Sequence, residues 1–425
     1  MVTDVGAEVS VEPPAGPLSG VRVLELGNFI AAPTAGRLLA DFGAEVVKVE
    51  RPRVGDELRT WRLYSGSTSM LYRTINRNKK SICIDLKSDA GRRAIRALIR
   101  STDVLLENFR PGTLEAWGLG PEELSAINSE LVIVRISAFG QTGPRAAEPG
   151  FGVVAEAMGG LRELTGDPDR APSRVGVSIG DSLAGLHAAF GAMMQLFDRE
   201  RRRAAGREPG SAASRSVDVA LSESVLSVME SLIPDYDAYG VVRQRTGGRM
   251  QGIAPTNAYR CGDGRSVVIA GNGDSIFQRF MRVIGRDDLA DDPSLRDNAK
   301  RWAVRDELDG AIEAWTLDRT VDEVVAALSE VGVPATPIYT AAQIVADPQF
   351  LARDMVQAIP VPVEGEEPRA VRFPGIVPRV GGVSRGIRNL GPELGEHTAE
   401  VLAGVPALSD EDREAILGAS EGGTR

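Results

Sequence analysis

Two hydrophobic patterns alternate along the first half of the chain. Helical periodicity, with apolar residues every three or four positions, predicts helices over 31–41 and 89–100. Short apolar runs around these helices predict buried strands over 21–26, 45–50, 81–86, 103–107 and 131–137. Strand and helix in alternation indicate a parallel sheet that helices cover on both faces.

The second half of the chain has a different pattern. Strands are predicted over 216–220 and 265–270, whereas residues 275–330 are predominantly helical and are the best candidate for a smaller second domain. After residue 332 short strands and proline-containing turns return, and the pattern ends in a helix over 396–403.

Composition narrows the class of protein. A chain of 425 residues, 43% of them hydrophobic, builds a sizeable core, and its net charge of −10 argues against nucleic-acid binding. Cys83 and Cys261 give no disulfide framework, so we expect a reducing, cytoplasmic location. No apolar run is long enough to span a membrane, and residues 1–16 are expected to form a disordered tail without a secretion signal.

Motif searches exclude several chemistries. The chain has neither a dinucleotide fingerprint nor a P-loop, and no metal site is predicted because neither histidine, His187 or His397, lies near a cysteine. Residues 176–180 (GVSIG) match the serine-hydrolase pattern, with Ser178 as nucleophile and His397 as its partner. Residues 167–174, however, form a proline-broken loop where that motif requires a strand, so a serine hydrolase is a remote alternative.

The carboxylate of most interest is Asp181, in the segment 174–186 (RVGVSIGDSLAGL). It precedes an apolar stretch, 183–197, that predicts a buried core helix. A carboxylate at the start of a helix faces unpaired N–H groups and the positive end of the helix dipole, so we expect it to stay ionised. Taken alone, this segment favours a structural N-cap over a reactive group.

Lysines are unevenly distributed along the chain. Four of the five lysines, Lys48, Lys79, Lys80 and Lys87, fall within one short N-terminal stretch. Either this is chance in an arginine-rich chain, or the stretch binds phosphate with compact ammonium groups. Composition supports these two interpretations equally.

Several segments in one order resemble the class III CoA-transferase family, whose members include formyl-CoA and carnitine CoA-transferases and the related α-methylacyl-CoA racemases. The matching blocks are 17–25, 41–50 (DFGAEVVKVE), 78–82 (NKKSI), 103–112 (DVLLENFRPG), 332–334, 347–349 and 394–398 (LGEHT). The resemblance implies an α/β fold with a large Rossmann-like domain built from both chain ends, over 17–225 and 339–425. It also implies a smaller α+β domain over 226–338 and an interlocked homodimer.

The resemblance implies roles for individual residues. Asp181 falls on the family's nucleophile, which forms an aspartyl anhydride and then an aspartyl-CoA thioester. Coenzyme A enters as part of the acyl-CoA substrate, a carboxylic acid accepts it, and no cofactor is permanently bound. The implied contacts with the adenosine-phosphate end of CoA are Arg51, Lys87, Asn108 and Phe109, with Ala31, Ile84 and Leu86 alongside. Gly247 and Gly248 match an active-site loop loosely; whether the neighbouring Arg245 and Arg249 bind substrate stays open, although solvated arginines are favoured.

Departures from the family pattern narrow the set of reactions that we expect of the chain. Ile30, Ala116, Pro149 and Gly152 replace the glutamine, arginine, lysine and glutamate of formyl-CoA transferase, which disfavours a formate and oxalate pair. Phe151 occupies the position of the racemase's histidine base and transfers no proton. We therefore expect a CoA-transferase, with dicarboxylic donors such as succinyl-CoA preferred, and a 2-methylacyl-CoA racemase or isomerase as the alternative.

Overall fold

The computed structural model describes residues 16–363 and 366–421, which form two compact units. The first unit runs to Gly159, includes Val177–Val228 and resumes at Pro348. The second unit comprises Gly160–Gly176 and Met229–Asp347.

Two predictions about the organisation of the chain, its tail and its domain limits, stay predictions. The tail predicted over 1–16 lies, apart from Gly16, outside the described residues. The predicted domain limits, 17–225 with 339–425 and 226–338, stay a prediction.

Strands and helices are numbered in chain order through both units. The strands are β1 (Arg22–Glu25), β2 (Glu45–Glu50), β3 (Tyr64–Ser65), β4 (Thr68–Ser69), β5 (Lys80–Cys83), β6 (Val104–Glu107), β7 (Val132–Ser137), β8 (Ser216–Ala220), β9 (Thr256–Arg260), β10 (Ser266–Ala270), β11 (Ala335–Pro337), β12 (Val356–Val363) and β13 (Glu366–Pro374). The helices are α1 (Ala31–Asp41), α2 (Met70–Ile75), α3 (Asp89–Ile99), α4 (Thr113–Ala116), α5 (Pro121–Ile127), α6 (Gly152–Met158), α7 (Leu161–Leu164), α8 (Ile179–Ala204), α9 (Leu221–Leu226), α10 (Leu232–Tyr239), α11 (Asp274–Val283), α12 (Asp287–Ala290), α13 (Asn298–Ala303), α14 (Arg305–Leu317), α15 (Val321–Glu330), α16 (Ala341–Ile344), α17 (Pro348–Ala352), α18 (Thr398–Ala403) and α19 (Asp410–Glu421). Short 3₁₀ turns cover Glu57–Thr60, Ala213–Arg215 and Pro293–Leu295.

A six-stranded parallel sheet forms the centre of the first unit, in the order β5-β2-β1-β6-β7-β8. β6 and β7 are buried along their whole length, as expected for strands of a sheet that helices cover on both faces. The predicted α/β fold with a parallel central sheet is confirmed, and α1 and β2 have the predicted limits.

Some predicted limits differ from the observed ones. The strand predicted over 81–86 ends at Cys83, because the chain turns where Ser88 donates to the carbonyl of Asp85. The closing helix begins at Thr398. Helix α19 has no counterpart among the predicted elements; it is rich in charged residues, and an ion pair between Asp412 and Arg93 joins it to α3.

The strand order places a crevice at one edge of the sheet. From β1 the chain moves to β2 and β5 on one side, and it then crosses to β6, β7 and β8 on the other side. The loops that leave the carboxyl ends of β1 and β6 therefore diverge, which makes this the topological switch point where open parallel sheets bind ligands.

Helix α8 is the longest helix of the first unit, and the prediction that it is a buried core helix is wrong for one of its faces. Small residues such as Ala184, Ala188 and Ala192 are buried on one side. Large apolar residues on another face are each more than half exposed: Leu186, Phe190, Met194 and Phe197. Among the described residues, no helix is long and apolar enough to cross a membrane.

The second unit has its own sheet and core. Strands β9, β10 and β11 form an antiparallel sheet in the order β11-β10-β9. Apolar side chains from this sheet and from α11, α12, α14 and α15, among them Phe277, Phe280 and Leu308, form one buried cluster. The predicted helical character of residues 275–330 is confirmed.

Candidate active site

A cavity of about 160 Å³ lies at the switch point of the parallel sheet in the first unit. The segments that follow β1, β6, β7 and β8 form its walls, together with the start of α8. The lining residues are Phe29, Ala31, Asn108, Phe109, Arg110, Pro111, Ile136, Ser137, Ala138, Ala146, Glu148, Gly150, Phe151, Asp181 and Leu221.

Asp181 reaches the cavity from the first turn of α8. The helix begins at Ile179 after the N-cap residue Ser178, so Asp181 is its third residue and not its cap. The interpretation of Asp181 as a structural N-cap is therefore wrong. The half-buried carboxylate lies at the positive end of the helix dipole and borders a cavity, where it is accessible to a ligand.

Ser178 lacks the setting of a hydrolase nucleophile. A nucleophile elbow is a strand, a sharp turn and a helix, and residues 165–178 contain no strand. His397, its predicted partner, lies beside Ser81 of β5, whose N–H is 3.4 Å from Nδ1 of the imidazole. The serine-hydrolase alternative is therefore not supported.

The backbone of Gly152 packs directly on the Asp181 carboxylate. A Cβ atom on Gly152 would lie 2.1 Å from Oδ2 and 2.8 Å from Cγ of Asp181, far inside van der Waals contact. Glycine at the first residue of α6 thus permits this close approach. Because the contacted atoms are the end of a short side chain, a methyl group here would displace the carboxylate and leave the helix in place.

Aromatic side chains form one wall of the cavity. Phe29 and Phe151 have ring centroids 5.7 Å apart in an edge-to-face arrangement, and Trp61 packs on Phe29 at 5.8 Å. Phe29 has a φ angle of +62°, a left-handed conformation that costs a non-glycine residue about 1–2 kcal/mol. The phenyl ring of Phe151 has no atom that accepts a proton, so this wall of the cavity supplies no base at Phe151.

The loop after β1, residues 27–30, is held by side chains from elsewhere in the first unit. Asn108 Oδ1 accepts the N–H of Asn28 at 2.9 Å, and its Nδ2 donates to the carbonyl of Asn28 at 2.8 Å. Asp56 accepts the N–H of Phe29 at 3.1 Å, and Lys48 donates to the carbonyl of Gly27. Asn108, a predicted CoA contact, therefore uses its side-chain amide to shape this loop.

Lys48 and Lys79 belong to a buried ionic cluster. Lys48 Nζ lies 2.9 Å from Asp56 and 3.1 Å from Glu25, and Lys79 Nζ lies 2.7 Å from Glu25. Burial opposes the charge of Lys48, but Asp56, Glu25 and Glu50 outweigh it and raise the pKa of Lys48. Burial lowers the pKa of Lys79 to about 8. For these two lysines the phosphate-site interpretation is wrong, because their ammonium groups are enclosed and paired.

The remaining lysines of the stretch are closer to solvent. Lys80 pairs with Glu45 at 3.0 Å and Glu400 at 2.8 Å, so its charge is also used within the unit. Lys87 is exposed on the turn that follows β5.

Four of the predicted CoA contacts lie along the sheet edge outside the Asp181 cavity. Arg51 follows β2, is 54% exposed in its side chain, and pairs with Glu57 at 2.5 Å. Ile84 is buried in the core, and the half-buried Leu86 packs against the same apolar cluster, whereas Lys87 is exposed. The structure thus brings Ala31, Asn108 and Phe109 together with Asp181, and it places the other four after the carboxyl ends of β2 and β5.

The glycine loop belongs to the second unit and is anchored there by arginines. Arg245 pairs with Glu163 at 2.9 Å, and Arg249 pairs with Asp309 at 2.6 Å and Asp306 at 2.7 Å. The expectation of solvated arginines is therefore wrong. Gly247 lies between these anchors with a φ angle of +67°, and Gly248 packs against Asn257.

Three residues near the site had no predicted role. Arg110 lies within the DVLLENFRPG block and lines the cavity, and within residues 16–363 and 366–421 its guanidinium forms no ion pair. Trp61 and Asp56 follow β2. Trp61 packs on Phe29, and the buried carboxylate of Asp56 accepts the N–H of Phe29. No local pattern signals such roles, because they depend on which segments meet in the fold.

Comparison with known proteins points to one family. The model of CoA-transferase family III matches residues 18–398. The chain is 45% identical over 406 residues to succinyl-CoA–D-citramalate CoA-transferase of Chloroflexus aurantiacus, covering 95% of this chain and 98% of that protein. It is 33% identical over 396 residues to succinate–glutarate CoA-transferase of Agrobacterium fabrum, covering 91% and 95%. The crystal structure of a CAIB/BAIF family protein from Brucella suis matches with a TM-score of 0.79 and 33% identity, covering 92% of this chain and 100% of that one.

Proposed function

The chain belongs to CoA-transferase family III, and we propose that it moves coenzyme A from succinyl-CoA to a carboxylic acid through covalent intermediates on Asp181. Its activity class, acyl-CoA:carboxylate CoA-transfer, follows from the family and from relatives of nearly equal length. The names of the C. aurantiacus and A. fabrum relatives both contain succinyl-CoA or succinate, which supports succinyl-CoA as the donor.

The proposed reaction consists of two half-reactions that mirror each other. An oxygen of Asp181 attacks the thioester carbonyl, the C–S bond breaks, and CoA leaves as a thiolate from a mixed anhydride. The thiolate attacks the aspartyl carbonyl, the donor acid leaves as a carboxylate, and a thioester between CoA and Asp181 remains. The acceptor carboxylate repeats these steps in reverse, which releases the new acyl-CoA and frees Asp181 without net gain or loss of a proton.

The observation that carries this proposal is the placement of Asp181. A reactive carboxylate must be accessible to the thioester, and Asp181 borders a cavity at the switch point of the sheet. Helices α1 and α8 both begin at this cavity, at Ala31 and Ile179. Their positive dipole ends favour the oxyanions and the thiolate that develop during the reaction.

We place coenzyme A along the carboxyl edge of the sheet. The resemblance implies that Ala31, Asn108 and Phe109 contact the adenosine-phosphate end of CoA, but because they line the Asp181 cavity we assign them instead to the part of CoA nearest Asp181. Further along the edge, Arg51 and Lys87 supply cations for its phosphates and Leu86 supplies apolar surface. Ile84 would contribute through its backbone, because its side chain lies in the core. The role of Gly247 and Gly248 as a substrate loop stays a prediction.

The acceptor in this proposal is a second short dicarboxylic acid. One carboxylate of such an acid attacks at Asp181, and the other needs a cation. Arg110 lines the same cavity, and among the described residues it forms no ion pair, so it is the candidate for that contact.

A panel of acyl-CoAs and free acids, analysed by mass spectrometry for new CoA thioesters, tests the proposal. We expect exchange between succinyl-CoA and dicarboxylic acids in wild type and none in Asp181→Ala, which should still fold and bind CoA. Hydroxylamine added to wild type with succinyl-CoA should modify Asp181. Near-normal exchange in Asp181→Ala would overturn the proposal.

The same assay in deuterated water separates transfer from racemisation. With Phe151 at the base position, a chiral 2-methylacyl-CoA should exchange its acyl group without taking up deuterium at C2. Deuterium uptake with loss of chirality, and no acyl exchange with added acids, would favour the racemase alternative.

We further propose that the enzyme is a homodimer. The exposed apolar face of α8, with Leu186, Phe190, Met194 and Phe197, is the kind of surface that a partner covers. Light scattering after size exclusion should give twice the chain mass of 45.2 kDa, and Phe190→Asp with Phe197→Asp should lower it. An unchanged mass in this variant would place the interface elsewhere; the interlocked arrangement stays a prediction.

A further inference from the structure

We infer that Asp56 and Lys48 are positioning residues for CoA transfer, because together they hold the loop 27–30 in the conformation that shapes the Asp181 cavity. The inference rests on the proposed function. Neither residue lines the cavity, so both act through the loop.

Asp56 joins the loop after β1 to the turn after β2. Its Oδ1 accepts the N–H of Phe29 at 3.1 Å and the N–H of Leu58 at 2.9 Å. Its Oδ2 lies 2.9 Å from Lys48 Nζ, and its backbone N–H donates to Glu50 at 3.0 Å. Asp56 is fully buried, so water does not compete for these contacts.

Lys48 completes the attachment from β2. Its ammonium group donates to Glu25 and to the carbonyl of Gly27, and it forms an ion pair with Asp56. Lys48 and Asp56 therefore hold the first and third residues of the loop through one ion pair. The residue between them, Asn28, is held by Asn108.

The conformation of Phe29 explains why the loop needs these attachments. A left-handed non-glycine residue relaxes when nothing holds it, and Phe29 has a φ angle of +62°. Its ring packs on Phe151, and the next residue along the chain from Phe151 is Gly152, which contacts Asp181. Helix α1 begins at Ala31, directly after the loop. A relaxed loop would thus change the cavity wall and the start of α1 together.

The buried cluster has equal numbers of positive and negative charges, so a variant that removes one of each keeps the cluster neutral. Lys48, Lys79 and Arg59 are the buried cations, and Glu25, Glu50 and Asp56 are the buried carboxylates. Removing one charge alone would leave an uncompensated buried charge in the cluster, which is strongly destabilising. The double variant Lys48→Met/Asp56→Ala removes one charge of each sign and leaves two ion pairs.

The test combines hydrogen exchange with kinetics. In Lys48→Met/Asp56→Ala we expect the amide of Phe29 to exchange at least about tenfold faster, since it loses its acceptor. We expect kcat to fall about tenfold or more with KM for succinyl-CoA changed by less than about threefold, because displaced groups affect the reacting geometry more than phosphate binding. Lys48→Met/Asp56→Asn, which keeps an oxygen for the Phe29 N–H, should recover part of both effects and is the milder variant if the first does not fold.

The matched control is Arg77→Met/Asp41→Ala. This pair is also buried in the first unit, with Nη2 and Oδ2 2.7 Å apart, but it has no bond to residues 27–30. It should leave the Phe29 exchange rate and kcat near wild type. Unchanged exchange at Phe29, or unchanged kcat despite faster exchange, would overturn the inference alone. Absence of CoA transfer in wild type would overturn the proposed function and this inference with it.

Discussion

The reactive end and the phosphate end of the proposed CoA site are built in opposite ways. At the reactive end, buried side chains hold the loop 27–30, and Gly152 packs on the Asp181 carboxylate. At the phosphate end, Arg51 and Lys87 stand exposed on the turns after β2 and β5. Both ends use the same edge of one parallel sheet, so the difference lies in burial and not in topology.

This difference matches what each end has to do. A carboxylate nucleophile and a thioester must be positioned to within a fraction of an ångström of their reacting geometry. Buried ion pairs, for which water does not compete, give that precision. Phosphates are compact charges on a flexible substrate, and exposed cations hold them through weaker, solvent-screened contacts. Changes at the reactive end should therefore lower kcat, and changes at the phosphate end should raise KM.

The contact between Gly152 and Asp181 gives the largest effect among substitutions that leave Asp181 itself intact. In Gly152→Ala the added methyl group would overlap Oδ2 and turn the carboxylate away from the cavity. A displacement of about 1 Å is enough to lower kcat about a hundredfold, while the melting temperature should change little. Steady-state kinetics and thermal unfolding measure the two quantities.

Gly386→Ala is the control for this substitution. A Cβ atom on Gly386 would meet nothing within 4 Å, so the same chemical change should leave kcat near wild type. If Gly152→Ala also kept its kcat, the reactive end would be less tightly fixed than the structure indicates.

The sheet edge that carries the site was largely predictable from the sequence. The limits of α1 and β2 follow from the local pattern of apolar residues, although both elements are buried at most of their positions. Asp181 was identified through a resemblance, because a carboxylate in a helix's first turn is compatible with capping and with catalysis alike.

The corrections share a physical cause. Lys48 and Lys79 were candidate phosphate ligands, and they are buried because Glu25 and Asp56 meet them in the fold. Helix α8 was predicted to be buried all round, yet one apolar face is exposed. In both cases the local sequence shows which residues are charged or apolar. Which other residues they contact in the fold depends on segments distant in sequence.

Removing a cation at the phosphate end should have a smaller effect, on KM. Arg51→Gln and Lys87→Gln should each raise KM for succinyl-CoA about tenfold, the lower limit for a charge-assisted contact, because both side chains are exposed. Glu57 competes for Arg51, so Glu57→Gln should move KM in the opposite direction. Unchanged KM in both arginine and lysine variants would place the phosphates elsewhere, and a fall in kcat would mean that the two ends are not separable.

Salt should distinguish the two ends without any substitution, and it should do so with the smallest effect. The Debye length is about 10 Å at 0.1 M and about 3 Å at 1 M ionic strength, so added salt screens exposed cations far more than enclosed ones. Between these concentrations KM for succinyl-CoA should rise a few-fold through Arg51 and Lys87, whereas kcat should hold because Lys48 and Asp56 have almost no contact with solvent. Arg51→Gln/Lys87→Gln should lose most of this salt dependence, since the screened charges are gone. A kcat that fell in parallel with the rise in KM would show that ions reach the reactive end and that its charges are not sealed from water.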